Sequence, residues 1–324
     1  MKNIEPKCFV GPMSKNVVDA CIEFSNETGT ALGFIPSRRQ IDHKSGYVNG
    51  WTTNTFSEYV RQRTKNILIE RDHGGPDQGD LDDSGEVSIG VDSLHFDMIH
   101  IDPFKKYKDI KLGASYTVEI INSLESKNCR FEIGTEEALF SMSPDDCRKF
   151  LDMVYDGVGE SNFNQVDYFV VQFGTKLQGN KNTGIFDLNK AEQMIKVCSD
   201  YGKKSKEHNG DYLSGPDVTT RRNLGLDAIN VAPEMGGIES KCIIQELKKD
   251  SKLYEEFVSC CKSTNRWQKW FPVDHEPDTG ILLQSCGHYC FSTLEFDSLR
   301  NKINYELVIN NTKSIIKKRL KELT

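Results

Sequence analysis

The chain has 324 residues, 37% hydrophobic and 27% charged, which suffices for one large domain or two modest ones. That balance excludes collagen-like, low-complexity and disordered scaffolds, and a net charge of −7 disfavours nucleic acid as a partner. No apolar run approaches the roughly 20 residues that span a bilayer, and Met1–Pro6 carries no apolar signal segment, so no membrane partner and a cytoplasmic location are expected. Ten irregularly spaced cysteines, none in a Cys-x-x-Cys pair, are expected to be reduced thiols, many of them core fillers.

Along the chain, short apolar runs alternate with longer amphipathic ones. Strand patterns fall at 7–11, 30–35, 66–70, 98–102, 129–133, 166–172 and 226–231, mostly continuous apolar stretches suited to parallel strands buried on both faces. The run at 203–208 is polar, and the repeat alone makes it a strand. Helix patterns at 14–25, 55–64, 114–126, 143–155 and 188–201 lie between, and Ser143-Pro144 supplies a cap followed by proline at the first helical position. Eight strand–helix units of roughly 30 residues between about 7 and 250 predict an α/β fold of the (β/α)8 barrel type. A doubly wound open sheet is the competitor, but no Gly-x-Gly-x-x-Gly follows the first strand.

From residue 251 the rhythm stops. Leu253, Tyr254, Phe257, Trp267, Trp270 and Phe271 make an aromatic-rich segment, and 299–323 is an amphipathic helix pattern ending in basic residues. The segment 251–324 is therefore expected to be a helical extension that closes the 1–250 barrel or builds a homo-oligomer interface. The cations at its end are expected to complement the helix C-terminus and face water.

In a barrel, chemistry sits just after the C-terminal ends of the strands. There this chain places Glu70-Arg71-Asp72-His73-Gly74-Gly75, His100-Ile101-Asp102, Glu132-Ile133-Gly134-Thr135-Glu136-Glu137, Gln172, Glu207-His208-Asn209-Gly210-Asp211 and Asn230 to Gly237. Each alone would pass for a loop hydrogen bond or a solvated charge. Jointly, histidines and carboxylates converging on one mouth suit a divalent metal, Zn²⁺ or a similar ion, acting as a Lewis acid. Cys286-Gly287-His288-Tyr289-Cys290 brings only three donors at an unusual spacing, so it is set aside as a zinc finger. His43 could reach substrate from the loop after the second strand, and His275 looks like a solvated loop residue.

Asp72-His73-Gly74-Gly75-Pro76, Ile99-His100-Ile101-Asp102, Ile133-Gly134-Thr135-Glu136, Val170-Val171-Gln172 and Glu207-His208-Asn209-Gly210-Asp211-Tyr212 stand in an order that resembles the tagatose-bisphosphate aldolase GatZ/KbaZ-like family, over roughly residues 8–240. That family belongs with the class II, metal-dependent aldolases. The resemblance implies His73 and His208 as metal ligands, with Glu136 or Gln172 completing the set. It implies Asp72 as the proton-transfer residue, with Glu136 and Glu137 as further acid/base candidates. Class II aldolases usually carry a histidine after the sixth strand; here Gly174 to Gly179 has none, and Gln172 and Gln178 are the nearby amides. The implied activity is a carbon–carbon lyase or isomerase, an aldolase or epimerase working through an enediolate on a ketose. Family members that serve as non-catalytic partners of an aldolase subunit supply the alternative.

A phosphorylated sugar is the expected substrate. Glycine-bearing loops at the mouth, with Lys176 in one and Gly236-Gly237 in another, and Arg38 after the second strand could hold a phosphate. Asp102, Gln178, Asn209, Asp211, Asn230 and Glu234 are the remaining candidates for substrate contact.

Overall fold

The structure is a computed structural model that describes residues 4–124, 129–271 and 277–324. Eight parallel strands close on themselves: β1 (Cys8–Val10), β2 (Leu32–Phe34), β3 (Ile67–Gly74), β4 (Met98–Ile101), β5 (Arg130–Ile133), β6 (Val166–Val171), β9 (Lys204–Glu207) and β10 (Ala228–Val231). β10 pairs with β1, which completes the ring. A small antiparallel hairpin, β7 (Leu177–Gln178) and β8 (Lys181–Asn182), stands in the loop after β6. The (β/α)8 barrel expected from the repeat is therefore present. The polar run at 203–208 contains a true barrel strand.

Helices α1 (Lys15–Thr28), α2 (Thr53–Arg61), α3 (Glu86–His95), α4 (Ile110–Ser123), α5 (Pro144–Phe163), α6 (Leu188–Asp200), α7 (Gly215–Asn223) and α8 (Pro233–Leu247) follow the barrel strands in turn. α5 begins at the proline, with the Ser143 hydroxyl accepting from Asp146 N and the Asp146 carboxylate accepting in return from Ser143 N, a reciprocal cap that fixes its start. α4 starts four residues before the apolar pattern suggests, because the Asp109 side chain caps it by accepting from Leu112 N. Residues 125 and 126 of the expected helix lie outside the described residues.

The pleat sorts each strand into two faces. Ile67 and Ile69 of β3 and Ile99 and Ile101 of β4 point outward into the apolar layer between sheet and helices. Phe131, Ile133, Phe169 and Val171 do the same on β5 and β6. Inside the ring, Phe9, Ile35, Leu68, Met98, Tyr168 and Ala228 form an apolar layer. Gly33 belongs there because a Cβ at that position would stand 2.0 Å from the Phe9 ring. One step further along the strands the interior turns polar, with Glu70, His100, Glu132 and Lys206 all buried.

The remaining chain forms α9 (Ser251–Ser263), a 3-10 turn at Arg266–Lys269, α10 (Thr279–Cys286), a second 3-10 turn at Gly287–Cys290, α11 (Leu294–Arg300) and α12 (Tyr305–Leu323). The expected helix over 299–323 is thus two helices, broken at 301–304. Phe257, Leu282, Leu283, Phe291 and Phe296 gather against Ile243 and Leu247 of α8 in a separate apolar cluster. α12 then returns to bury Ile316, Leu320 and Leu323 in the cluster that holds Val17, Val18 and Cys21 of α1. Lys317, in the basic end, pairs with Glu23 and Glu27 of α1 at 3.0 and 2.7 Å rather than facing water alone.

Candidate active site

The site forms where β3, β4 and β9 end. Arg71, fully buried, clamps Asp92 with two bonds of 2.6 and 2.8 Å and donates to the carbonyls of Pro36 and Ile41. This anchors the end of β3. Immediately beyond it the register against β4 shifts, and His73 takes a left-handed backbone (φ 48°). A non-glycine residue there is strained by about 1–3 kcal/mol, and the bulge re-aims its side chain into the mouth. Gly74 and Gly75 let β3 approach β4 at this point; a Cβ on Gly75 would lie 2.3 Å from the Asp102 carbonyl oxygen.

Three imidazoles meet. The rings of His73, His100 and His208 form a triangle with centroids 4.9 to 5.3 Å apart. Each has one ring nitrogen tied to an acceptor behind it. His73 Nδ1–H donates to Asp102 Oδ2 at 2.6 Å, His100 Nε2–H to the Gly134 carbonyl at 3.1 Å, and His208 Nε2–H to Glu132 Oε1 at 2.7 Å. Those acceptors fix the tautomers. The other nitrogens, Nε2 of His73 and Nδ1 of His100 and His208, lie 3.7, 3.9 and 4.0 Å from Asp72 Oδ1. A competing bond from the His73 backbone N–H to His100 Nδ1 is long, at 3.3 Å.

Asp72 Oδ1 is buried and has no hydrogen-bond partner among the described residues. An orphaned carboxylate oxygen facing three imidazole nitrogens is costly unless something positive stands between them. A tetrahedron of donors around Zn²⁺ with bonds of about 2.1 Å has edges of about 3.4 Å, and one ligand atom from each of Asp72, His73, His100 and His208 already lies within 4.8 Å of the others. The donor set fits a divalent ion. Burial opposes charging at both residues. Even so, His73, His100 and His208 hold the Asp72 carboxyl well below the usual carboxylate range, and Asp72, Asp102 and Glu136 raise His73 to about 10. The point where the donors converge is therefore strongly attractive to positive charge.

Below the imidazoles runs a buried ladder. Lys206 Nζ donates to Glu70 Oε2 and to Glu132 Oε2, each at 2.5 Å, and lies 3.6 Å from the centre of the Phe9 ring. Burial and the neighbouring Glu132 push the Glu70 carboxyl up, whereas Glu132, despite burial, is held low by Lys206 and the histidines. Glu132 thus stays ionised to accept from His208.

A cavity of about 620 Å³ opens above, lined by Asp72, His73, Glu136, Asn209 and Lys176 among others. Glu136 stands at its junction with the donors, its Oε2 3.9 Å from His73 Nε2 and accepting from Asn209 Nδ2 at 2.5 Å. A small recess beneath is lined by Asn230, whose two amide atoms are buried without partners among the described residues.

The expected residues divide. Asp72, His73 and His208 converge, and His100 joins them as the donor that sequence reasoning missed. Its signal was available: it stands two residues before Asp102, on the same inward face of β4. Gln172 does not join, because its amide accepts from Met142 N and donates to the carbonyls of Thr135 and Phe140, all at 2.9 Å. Glu137 turns away to pair with Lys190 at 3.0 Å. Arg38 is buried and spent on Asp83 and Asp42; its neighbour Arg39 lines the cavity instead. Asp102 backs His73 while accepting from Thr135 and Phe104. Asp211 accepts from Ala232 N and Glu234 N, and Glu234 pairs with Arg319, so both hold loops rather than substrate. Gln178 is on the exposed hairpin. Gly236 and Gly237 lie inside α8, where their missing side chains let His288 and the Gln284 carbonyl approach. That helix starts at Pro233, so its free N–H groups are not theirs. His43 pairs with Asp42 at 3.1 Å, and His275 lies outside the described residues.

No family model matches the chain, and no curated protein matches it in sequence. Solved structures share its fold. A probable tagatose 6 phosphate kinase from Sinorhizobium meliloti is 15% identical, covers 98% of this chain and 99% of its own, and superposes with a TM-score of 0.80. A fructuronate-tagaturonate epimerase from Cohnella laeviribosi is 12% identical, with 98% and 81% covered and a TM-score of 0.64. A fructose-bisphosphate aldolase from Campylobacter jejuni is 10% identical, with 98% and 88% covered and a TM-score of 0.58. Barrels of the aldolase and epimerase kind are thus among its structural neighbours, as the motif resemblance implies.

Proposed function

We propose that the chain is a divalent-metal-dependent aldolase or epimerase acting on a ketose, a phosphorylated sugar in first place, through an enediolate. One observation carries this reading. Three histidines each spend one ring nitrogen on a rear acceptor and aim the other at a buried, unpartnered carboxylate oxygen, the arrangement of ligands with a supporting shell.

His73, His100 and His208 would hold the ion with Asp72 at its edge, and Zn²⁺ suits that donor set. Such an ion supplies Lewis acidity toward a ketose carbonyl and its neighbouring hydroxyl. Asp72, facing both the donors and the cavity, moves the hydroxyl proton whose departure starts carbon–carbon cleavage. Glu136, at the cavity wall and oriented by Asn209, takes part in returning a proton to the enediolate carbon or the aldehyde oxygen. The unpartnered Asn230 amide offers a donor and an acceptor to a substrate hydroxyl. Release of the aldehyde fragment gives aldolase products; its rotation and re-addition give an epimer. The aldolase and epimerase barrels among the neighbours support both outcomes on one scaffold.

The test combines metal analysis of protein purified without chelator with NMR of ketose and ketose-phosphate mixtures incubated with Zn²⁺, Mn²⁺ or Mg²⁺. Asp72→Asn keeps the shape but cannot take a proton, so turnover should fall at least about a hundredfold with metal retained. Loss of the metal in that variant would make Asp72 a ligand instead. Absence of turnover with every ion, together with activation of a separate aldolase, would replace the reading with that of a supporting subunit.

A further inference from the structure

Part of the cavity wall has no place in the chemistry above. It is built by the loops after β2 and β4, which bring Arg39 and Lys105, and by the 3-10 turn at Arg266–Lys269 of the C-terminal extension. Four cations line it: Arg39, Lys105, Arg266 and Lys269. Among the described residues they share one carboxylate within ion-pair distance, Asp80, at 3.6 Å from Arg39 and 2.7 Å from Arg266. Lys105 donates to the Asp77 carbonyl, and Lys269 has no ion pair among the described residues. Burial and the proximity of Arg39 and Lys105 to Lys269 weaken its hold on its proton, as burial and Arg39 do for Lys105.

His288 faces the same wall. It is 2% exposed, lines the cavity, and neither of its ring nitrogens has a hydrogen-bond partner among the described residues. Tyr289 packs beside it and holds Trp270, the residue after Lys269, by a 2.9 Å bond from the indole N–H. Burial next to Lys269 and Arg266 keeps this imidazole neutral, pushed down to about 3. A buried polar ring with two unmet bonds, beside an excess of cations, describes a prepared binding wall rather than a packing accident.

We propose that this wall binds an anionic group on the substrate, a phosphate monoester or a carboxylate at the end remote from the reacting carbonyl, gripped by Arg39, Lys105 and Lys269 with His288 bonding beside them. The inference rests on the ketose reading of the site. It makes the C-terminal extension the part of the chain that selects for charge. Arg38, the residue that the sequence put forward for this task, is neutralised by Asp83, and the work passes to its neighbour and to two lysines far away in sequence.

Equilibrium binding to the metal-loaded full chain tests it, using a six-carbon ketose, its 6-phosphate and the corresponding uronate, with inorganic phosphate as a separate probe. One of the two anionic sugars should bind at least about tenfold tighter than the neutral ketose, the gain of one charge-assisted contact. Which one it is separates phosphate from carboxylate. Lys269→Gln, a change outside every apolar cluster, should weaken the anionic sugar at least about fivefold more than the neutral one, and Lys105→Gln should do likewise. His288→Gln, a buried change, is read only alongside those two. Equal binding of all three sugars, or an anionic preference that survives both lysine changes, would overturn the subsite even if the enzyme turns over ketoses. Inorganic phosphate bound by the wild type and weakened by Lys269→Gln would support the subsite even if no ketose reacts.

Discussion

Two adjacent layers inside one barrel differ completely in character. The layer of Phe9, Leu68, Met98, Tyr168 and Ala228 is apolar and needs nothing but shape. The next, further along the barrel axis and drawn from β3, β4, β5 and β9, holds Glu70, His100, Glu132 and Lys206 with side chains at or below 1% exposure. Burying a charge in a low-dielectric interior costs several kcal/mol unless it is paired. Here Lys206 bridges two carboxyl groups, and the second of them, Glu132, continues to His208. The first layer stabilises the ring. The second carries the orientation of the imidazoles down to a fixed point, and its stability depends on all members being present.

Removing a donor at the mouth should have the largest effect. His100→Ala deletes one of three imidazoles and should lower bound metal to background and turnover about a thousandfold, checked by metal analysis and ketose NMR. Because His100 sits below the cavity, retained metal in that variant would show that the polar layer is structural only. Cutting the ladder comes next. Lys206→Met leaves Glu70 and Glu132 facing each other without a cation, and the unfolding free energy should drop by about 3–5 kcal/mol in urea titration. A loss no greater than that of an ordinary core truncation would mean that the carboxylates simply take up protons. Glu132→Gln is milder. It keeps the size and weakens the acceptor behind His208, so metal affinity should fall about 10- to 100-fold with little change in fold.

The same contrast explains what the sequence revealed. Seven strands are legible because each carries a run of apolar residues, even where one residue, such as Glu70, His100 or Glu132, joins the charged layer. β9 (Lys204–Glu207) carries none: its inward residue Lys206 belongs to the charged layer and its outward Glu207 pairs with Arg221 of α7 at 2.7 Å. Only the repeat located it. The motif order pointed to Asp72, His73 and His208, each at a strand end. It does not single out His100, which reads as part of a motif rather than as a donor, and it favours Gln172 by residue type, although that amide is consumed by the Met142 N–H and two loop carbonyls. Arg38 stays out of the cavity for a different reason. Arg38 and Arg39 are adjacent in sequence, and only tertiary structure decides which one is buried between two carboxylates. Lys269 and His288 come from an extension whose docking no local pattern encodes.

Two lysines on or beside β9 offer the finest test of the difference between the layers. Lys206 is fully enclosed yet favours its charge, because burial is outweighed by Glu132 and Glu70. Lys203, at the foot of the strand and 8% exposed, has the carbonyls of Phe163 and Val166 at 2.7 and 3.0 Å and the Phe163 ring at 4.1 Å, with no carboxylate within ion-pair distance among the described residues. Burial therefore lowers it from its ordinary 10.5 to about 8. Between those two pH values the unfolded chain binds more protons at this residue than the folded one, so its contribution to stability rises with pH across that window and is lost as pH falls toward 8. Lys203→Met removes the titration while keeping the bulk. The stability of the wild type relative to that variant should improve by about 2 kcal/mol from pH 8 to 10.5, allowing for partial screening. Urea titrations at several pH values would show it, and a difference that stays flat would mean that two carbonyls alone can hold an ammonium as well as the carboxylates hold Lys206.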